Sequence, residues 1–304
     1  MRIGLAVESM KRHTTDEGWQ LFAGLEAAGW ELHGYMLGSE LTDIPTLLRR
    51  YDPSTVLLQD KREWDVQPGC FREQRARFHG VEALRTHSCY KLTVLKDMHQ
   101  RPAYHAQSAE EIGCDAHVVY YDPPYPSYVK RAVRTYHSID IVVVPPFHAH
   151  RAETVLSGAT GRAYPLRTRL FRELRCSKVY HPGYHASGCA TPNFLRALGQ
   201  FKVAVCTASV YNYALRKLVE ATACGCRVVT NFTGHFPAIG GNFHRVDSDA
   251  STAEVQSLCD SLCRTYDPEL QEYFAETAKR HYDYRVVGRK LSNDIAASAL
   301  SRSS

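Results

Sequence analysis

Alternation between two periodicities constrains the fold of this chain more than any other feature. Short runs rich in β-branched and aliphatic residues, such as IGLAV, TVLL and KLTVL, are each followed by a longer segment with apolar residues three and four apart. Strand–helix alternation of this kind builds a parallel sheet with helices on its faces. The pattern predicts strands over 2–7, 31–37, 55–59, 92–96, 117–121 and 139–144. Between the first two, residues 18–29 place Trp19, Phe22, Leu25 and Glu26 at helical spacing. Together these elements predict a Rossmann-like domain over 1–150, ending near Pro145-Pro146.

The alternation then restarts. Strands are expected over 178–181, 202–206, 227–230 and 243–246, and long helices over 251–266 and 268–298. This predicts a second Rossmann-like domain over 178–304, with 151–177 left as an irregular basic segment between the two. The expected fold class is α/β, two Rossmann-like domains facing a cleft. Charge follows the same division. Residues 1–150 hold 17 Lys and Arg against 19 Asp and Glu, whereas 151–304 hold 20 against 13. Residues 162–178 alone carry a net +5, equal to the charge of the whole chain.

Several protein classes are excluded. The apolar run before Glu8 is about five residues long, short of the roughly 7–15 of a signal-peptide core. No apolar stretch reaches the roughly 20 residues that cross a bilayer, so a cytoplasmic location without a membrane partner is expected. Ten cysteines are present without a C-x-x-C, which fits reduced, mostly buried thiols rather than a zinc site. The D-S-D at 247–249 stands in a loop before a helix, where capping by Ser248 or Asp249 accounts for it. No metal is expected.

Residues 202–231, KVAVCTASVYNYALRKLVEATACGCRVVTN, are the most informative segment. A buried strand runs into a loop at Ser209, a helix is expected over 211–224, Gly225 supplies its C-terminal cap, and a second strand begins at once. Ligands of such βαβ units bind beyond the carboxyl ends of the strands, where free N–H groups at a helix start favour an anion such as a diphosphate. On the expected helix Tyr213, Lys217 and Glu220 share a face, with Arg216 beside it. A cation near the phosphates and a carboxylate one turn further on suit the diphosphate and ribose of a nucleotide.

The string ALRKLVEATACGCRVVTN resembles the R-x-x-E-x-x-A-x-G-x-x-V-V-T signature of GT-B glycosyltransferases, in the group-1 and spore-maturation-type branch. The stretch AKRHYDYRVVGRKL, with His281, Tyr282 and Arg285, resembles the H-T-Y-x-x-R ending of the same branch. The resemblance implies a metal-independent glycosyltransferase whose substrate is a UDP- or GDP-sugar and which needs no obligatory cofactor. It further implies that Glu220 binds the donor ribose, that Arg216 or Lys217 neutralises the diphosphate, and that Ser209, Tyr211, Asn212 and Tyr213 cradle it. Many group-1 enzymes carry a second glutamate eight positions before the first. Here that position is Asn212.

Sugar transfer needs stabilisation of the departing nucleotide diphosphate and, in inverting enzymes, a base near the acceptor hydroxyl. The first domain is expected to supply that base as Asp97 or His99 in LKDMHQ, or as Asp60 in LLQD. His148, in PPFHAH at the expected hinge, is a candidate contact to the sugar or diphosphate. Residues 61–91 interleave seven basic and four acidic residues with Trp64, Phe71, Phe78 and Tyr90, a combination suited to phosphates and unpaired bases. Lys61, Arg62 and Trp64, with Arg167, Arg169 and Arg172, are therefore candidate acceptor contacts, and DNA is a candidate partner. A DNA acceptor means a hydroxyl on a base, such as a hydroxymethylated pyrimidine, flipped into the site. The alternatives are transfer to a cell-envelope glycan or small metabolite, sugar-nucleotide epimerase or hydrolase chemistry, and a nucleic-acid-binding module on the same fold.

Overall fold

The computed structural model describes residues 1–8, 17–36, 42–61, 78–96, 98–99, 101–158, 160–179 and 190–302. The chain divides into two compact units, one of Met1–Tyr136 with Tyr284–Ser304 and one of His137–Asp283.

The strands of the first unit are β1 (Arg2–Glu8), β2 (Glu31–Met36), β3 (Thr42–Asp43), β4 (Thr55–Leu58), β5 (Phe78–His79), β6 (Tyr90–Leu95), β7 (Ala116–Val119) and β8 (Ala132–Arg134). Six of them form a parallel sheet in the order β2-β1-β4-β6-β7-β8, while β3 and β5 pair separately. Every residue of β4 and β6 is buried, because central parallel strands are covered by helices on both faces. The helices are α1 (Glu17–Glu26), α2 (Ile44–Tyr51) and α3 (Pro102–Ile112). Asp43 caps α2 by accepting the Thr46 N–H at 3.0 Å, and Pro45 occupies the first turn, where its missing donor costs nothing.

The second unit has β9 (Ala152–Ser157), β10 (Ser177–Val179), β11 (Phe201–Val205), β12 (Arg227–Thr230) and β13 (Phe243–Arg245), all parallel, in the order β10-β9-β11-β12-β13. Its helices are α4 (Pro165–Glu173), α5 (Ala190–Leu198), α6 (Arg216–Ala223), α7 (Thr252–Arg264) and α8 (Pro268–Tyr282). Leu166 and Leu170 of α4 and Val255 and Cys259 of α7 pack with Val203, Val205 and Val229 of the sheet into one core.

The last helix, α9 (Tyr284–Leu300), belongs to the first unit and lies against α1. Two glycines make that approach possible. A Cβ on Gly24 would fall 2.2 Å from the Tyr284 carbonyl oxygen, and one on Gly288 would fall 2.1 Å from the Gly24 carbonyl carbon. Trp30 Nε1 donates to Ser292 Oγ of α9 at 3.0 Å.

The structure corrects the expected organisation in several places. The boundary lies between Tyr136 and His137, and 151–177 falls within the second unit, where it holds β9 and α4. The 139–144 strand is a single bridge at Ile139 followed by a 3-10 turn, Ile141–Val143. Asp140 diverts the chain there by accepting the Val142 N–H at 3.0 Å. The expected helix over 268–298 is two helices, parted at Asp283, whose extended backbone pairs with Ile139. The cap of α7 is Ser251, in a reciprocal box with Glu254, rather than Ser248 or Asp249. Among the described residues no helix is long and apolar enough to cross a membrane.

Candidate functional site

The loops that leave β9, β11, β12 and β13 emerge at the carboxyl edge of the second sheet, where α/β folds bind their ligands. Hydrogen bonds tie these loops together. The Val210 N–H donates to the Ala163 carbonyl at 2.8 Å, and the Ala208 N–H donates to Asn231 Oδ1 at 2.6 Å. Asn231 Nδ2 donates onward to Ser248 Oγ at 2.9 Å. Asn212 accepts the Thr233 N–H at 3.0 Å and donates through Nδ2 to Thr233 Oγ1 at 2.7 Å. Arg245, the last residue of β13, donates to the carbonyls of Thr233 and Gly234 at 3.0 and 2.9 Å.

Two cations converge within this frame. Gly158 follows β9 at φ +108°, and a Cβ there would fall 2.8 Å from Arg167 Nη1 and 3.2 Å from Lys217 Cε. The absent side chain leaves room for α4 and α6 to bring their cations over the end of β9. Arg167 is 2% exposed; its Nε donates to Thr207 Oγ1 at 3.0 Å, another N–H donates to the Thr207 carbonyl, and the guanidinium lies 4.0 Å from the Tyr164 ring centroid. Burial lowers its pKa below the ordinary arginine value, yet an arginine keeps its proton at neutral pH. The Thr207 oxygens are neutral acceptors, and these bonds orient the guanidinium.

The start of α6 adds to the positive potential. Its N-cap is Leu215, with no side-chain capping bond, so the first N–H groups and the positive end of the helix dipole face this edge. Arg216 and Lys217 occupy the same first turn, where cations are disfavoured unless negative charge answers them. Glu220 answers Arg216, with Oε1 2.8 Å from Nε and a side chain only 4% exposed. Cys206 is buried behind the loop, and that burial pushes its thiol up to about 12, so it is not a nucleophile here.

The structure keeps Arg216, Lys217 and Glu220 together on α6 but places the preceding residues differently. The helix starts at Arg216, not at 211, so Tyr213 does not share a helical face with Lys217 and Glu220. Ser209, Tyr211, Asn212 and Tyr213 lie in the loop. The Ser209 carbonyl accepts the Asn212 N–H at 2.9 Å, and Ser209 Oγ accepts the Tyr211 N–H at 3.3 Å. Asn212 is left-handed at φ 52°, a conformation through which a right-handed helix does not propagate.

Other expected contacts fall elsewhere. His148 lies at the amino end of the sheet. Its carbonyl accepts from Arg151, which also donates to the Phe201 and Cys224 carbonyls. Arg167 is interior to the second unit rather than on an acceptor surface. Arg169 donates to the Ala250 carbonyl, and Arg172 is exposed on α4. In the first unit Asp60 is 0% exposed and accepts the Lys96 N–H at 3.0 Å. Lys61 is buried, paired with Glu111 and 5.4 Å from the Tyr104 ring. Burial therefore takes both away from an acceptor. His99 is partly exposed, and its surroundings lower its pKa from 6.5 by desolvation. Asp97, Arg62 and Trp64 lie outside the described residues.

Gly158, Thr207, Asn231, Thr233 and Arg245 frame the candidate site and are missed by the sequence reading. The glycine after VLS and the asparagine after VVT, each directly beyond a strand, are the signals that point to two of them. Among the described residues no group of three or more His, Cys, Asp or Glu is placed to hold a metal ion.

No protein-family model matches the chain, and no curated protein matches it. Solved structures do. Anabaena Alr3699/HepE in complex with UDP and glucose aligns with a TM-score of 0.58 at 9% identity, covering 98% of this chain and 100% of that one. The same protein with UDP-glucose gives 0.55 at the same identity and coverage. An alpha-glucosyltransferase in complex with UDP and a 13-mer DNA containing a central A:G mismatch gives 0.60 at 11% identity, covering 97% and 100%. With two parallel Rossmann-like units in one polypeptide and a likeness that runs the length of these structures, the chain has the GT-B fold of glycosyltransferases.

Proposed function

We propose that the protein is a glycosyltransferase that takes its sugar from a nucleotide-sugar bound at the carboxyl edge of the second sheet and passes it to an acceptor hydroxyl. The observation that carries this reading is the convergence of Arg167 and Lys217 at Gly158, beside the uncapped start of α6. A departing nucleotide diphosphate gathers negative charge, and preoriented cations and N–H groups stabilise it without reorganising. Arg167 and Lys217 take the diphosphate, and Glu220, positioned by Arg216, takes the ribose hydroxyls. UDP is the first nucleotide to test, because both the HepE and the alpha-glucosyltransferase structures contain it. The spore-maturation-type branch rests on the two sequence strings alone.

For the acceptor, DNA is the reading that the alpha-glucosyltransferase complex supports, since it contains DNA, and the hydroxyl of a hydroxymethylated pyrimidine is the group in DNA to test. The arginines of α4 add little to it, since Arg167 is buried and Arg169 is bonded to Ala250.

Calorimetry with UDP, GDP and uridine tests the donor site. UDP is expected to bind at least about tenfold more tightly than uridine, and Lys217→Ala to remove most of that difference. Equal binding of UDP and uridine, or binding of neither UDP nor GDP, ends the donor reading. Mass spectrometry of hydroxymethylated DNA oligonucleotides incubated with mixed nucleotide-sugars tests the acceptor. A gain of one sugar identifies donor and acceptor together, whereas a gain only on glycans or small hydroxyl compounds moves the acceptor away from DNA.

A further inference from the structure

Backbone pairing between β11 and β12 runs from Val203 and Arg227 to Val205 and Val229, and it ends where the Cys206 N–H donates to the Val229 carbonyl at 2.8 Å. Side chains continue it from there. Thr230 Oγ1 donates to the Cys206 carbonyl at 2.7 Å while accepting the Phe232 N–H at 3.1 Å, which fixes the direction of its hydroxyl proton. Asn231 Oδ1 accepts the Ala208 N–H at 2.6 Å, and its Nδ2 is anchored on Ser248 Oγ at 2.9 Å. Threonine and asparagine suit these places, because their short side chains stand in for a backbone partner where a ladder stops. Thr207 lies between the two fastenings and is 0% exposed. Both of its oxygens accept from Arg167, Oγ1 from Nε at 3.0 Å and the carbonyl from Nη2.

We infer that Thr230 and Asn231 are positioning residues for the donor's diphosphate, acting through the 206–208 peptide on the guanidinium of Arg167. This inference rests on the donor reading given above. A cation stabilises a departing anion best when its direction is set before the charge develops. The direction of Arg167 is set by Thr207, and the place of Thr207 is set in turn by the end of β12. Removing either fastening leaves a peptide group of this loop without its partner, and a buried group in that state is costly enough to shift the loop. The Thr207 oxygens then shift with it. Thr230 is itself 0% exposed, too deep to touch a ligand, so any effect it has on binding travels through the loop.

Calorimetry with UDP and with uridine, alongside urea titration of the same samples, tests this on the full chain and its variants. Thr230→Val keeps the side-chain shape and removes the hydroxyl. It is expected to weaken UDP about five- to tenfold while uridine stays within about twofold of the native value. Thr230→Ser restores the hydroxyl and is expected to hold UDP within about twofold of native. Asn231→Ala, at a half-buried position, is expected to weaken UDP in the same way and carries the test if Thr230→Val does not fold. A lowered urea midpoint with an unchanged ratio of UDP to uridine affinity overturns the inference, because the two residues then serve the fold alone. Equal weakening of UDP and uridine overturns it too, since the effect is then not on the diphosphate, and so does a Thr230→Ser chain as weak as Thr230→Val. Native protein that binds no UDP overturns the donor reading and this inference with it, a result seen before any variant is compared.

Discussion

Arg216 and Glu220 sit one turn apart on α6 with Nε and Oε1 2.8 Å from each other, the acid side chain 4% and the base 13% exposed. Removing the acid leaves a poorly hydrated guanidinium at the positive end of a helix. Glu220→Ala is therefore expected to lower the free energy of unfolding by about 3 kcal/mol, measured by urea titration. Glu220→Gln keeps a hydrogen-bond acceptor and is expected to cost roughly half as much.

Gly158→Ala tests the convergence of the two cations. The alanine must hold the backbone at φ +108°, and its methyl group must displace Arg167. UDP affinity is expected to fall at least about tenfold, with a stability loss of about 1–2 kcal/mol. Gly161, where an added Cβ meets nothing within 4 Å, supplies the control, since Gly161→Ala is expected to leave UDP binding unchanged in the same calorimetric assay.

Gly24→Ala drives a methyl group into the backbone of α9. The clash is with a carbonyl oxygen 2.2 Å away and not with a flexible side chain, so the helices must part. A loss of about 2–3 kcal/mol is expected, read as a lower urea midpoint.

His117 on β7 is 3% exposed, and burial, followed by the charge of His105, lowers its pKa from 6.5 to about 4. The native chain keeps this imidazole neutral in a pH range where the unfolded chain protonates it. Its contribution to stability is therefore complete above pH 6.5 and is lost as pH falls toward 4. The expected decline across that window is up to about 3 kcal/mol. Urea midpoints measured across the window check it, and His117→Gln is expected to flatten the curve.

His99 is the one partly exposed candidate base among the described residues, and desolvation lowers its pKa from 6.5. If it accepts the proton of the acceptor hydroxyl, the transfer rate should rise with pH through a midpoint below that of an ordinary imidazole and then level off. His99→Gln is expected to abolish transfer while UDP still binds. A variant that transfers at the native rate would shift the role of base away from His99.

The parallel sheets were legible because β4 and β6 are covered on both faces and so read as unbroken apolar runs. β9 was not, because Glu153 and its exposed first residues break the run at one end, and β8 is only three residues long. Glu220, Arg216 and Lys217 could be grouped from helical spacing alone. Tyr213 could not be separated from them, since nothing in YNYAL announces that Asn212 takes a left-handed backbone. Arg167 reads as surface charge among its basic neighbours. Leu166 and Leu170, both buried, mark the inward face of α4 at a spacing of four, buried Leu174 follows at its C-cap, and Arg167 lies beside that face.

The return of α9 to the first unit has a consequence for how such a gene can be cut. The chain passes between the units twice, at 136–137 and again at 283–284, so 137–283 is an uninterrupted insert within the sequence of the other unit. A nonsense codon just before α9 is then a lesion of the N-terminal unit, exposing the flank of α1 around Gly24, while every strand of the second sheet survives. Recombination that exchanges the second unit between chains of this design needs two crossovers, one on each side of the insert.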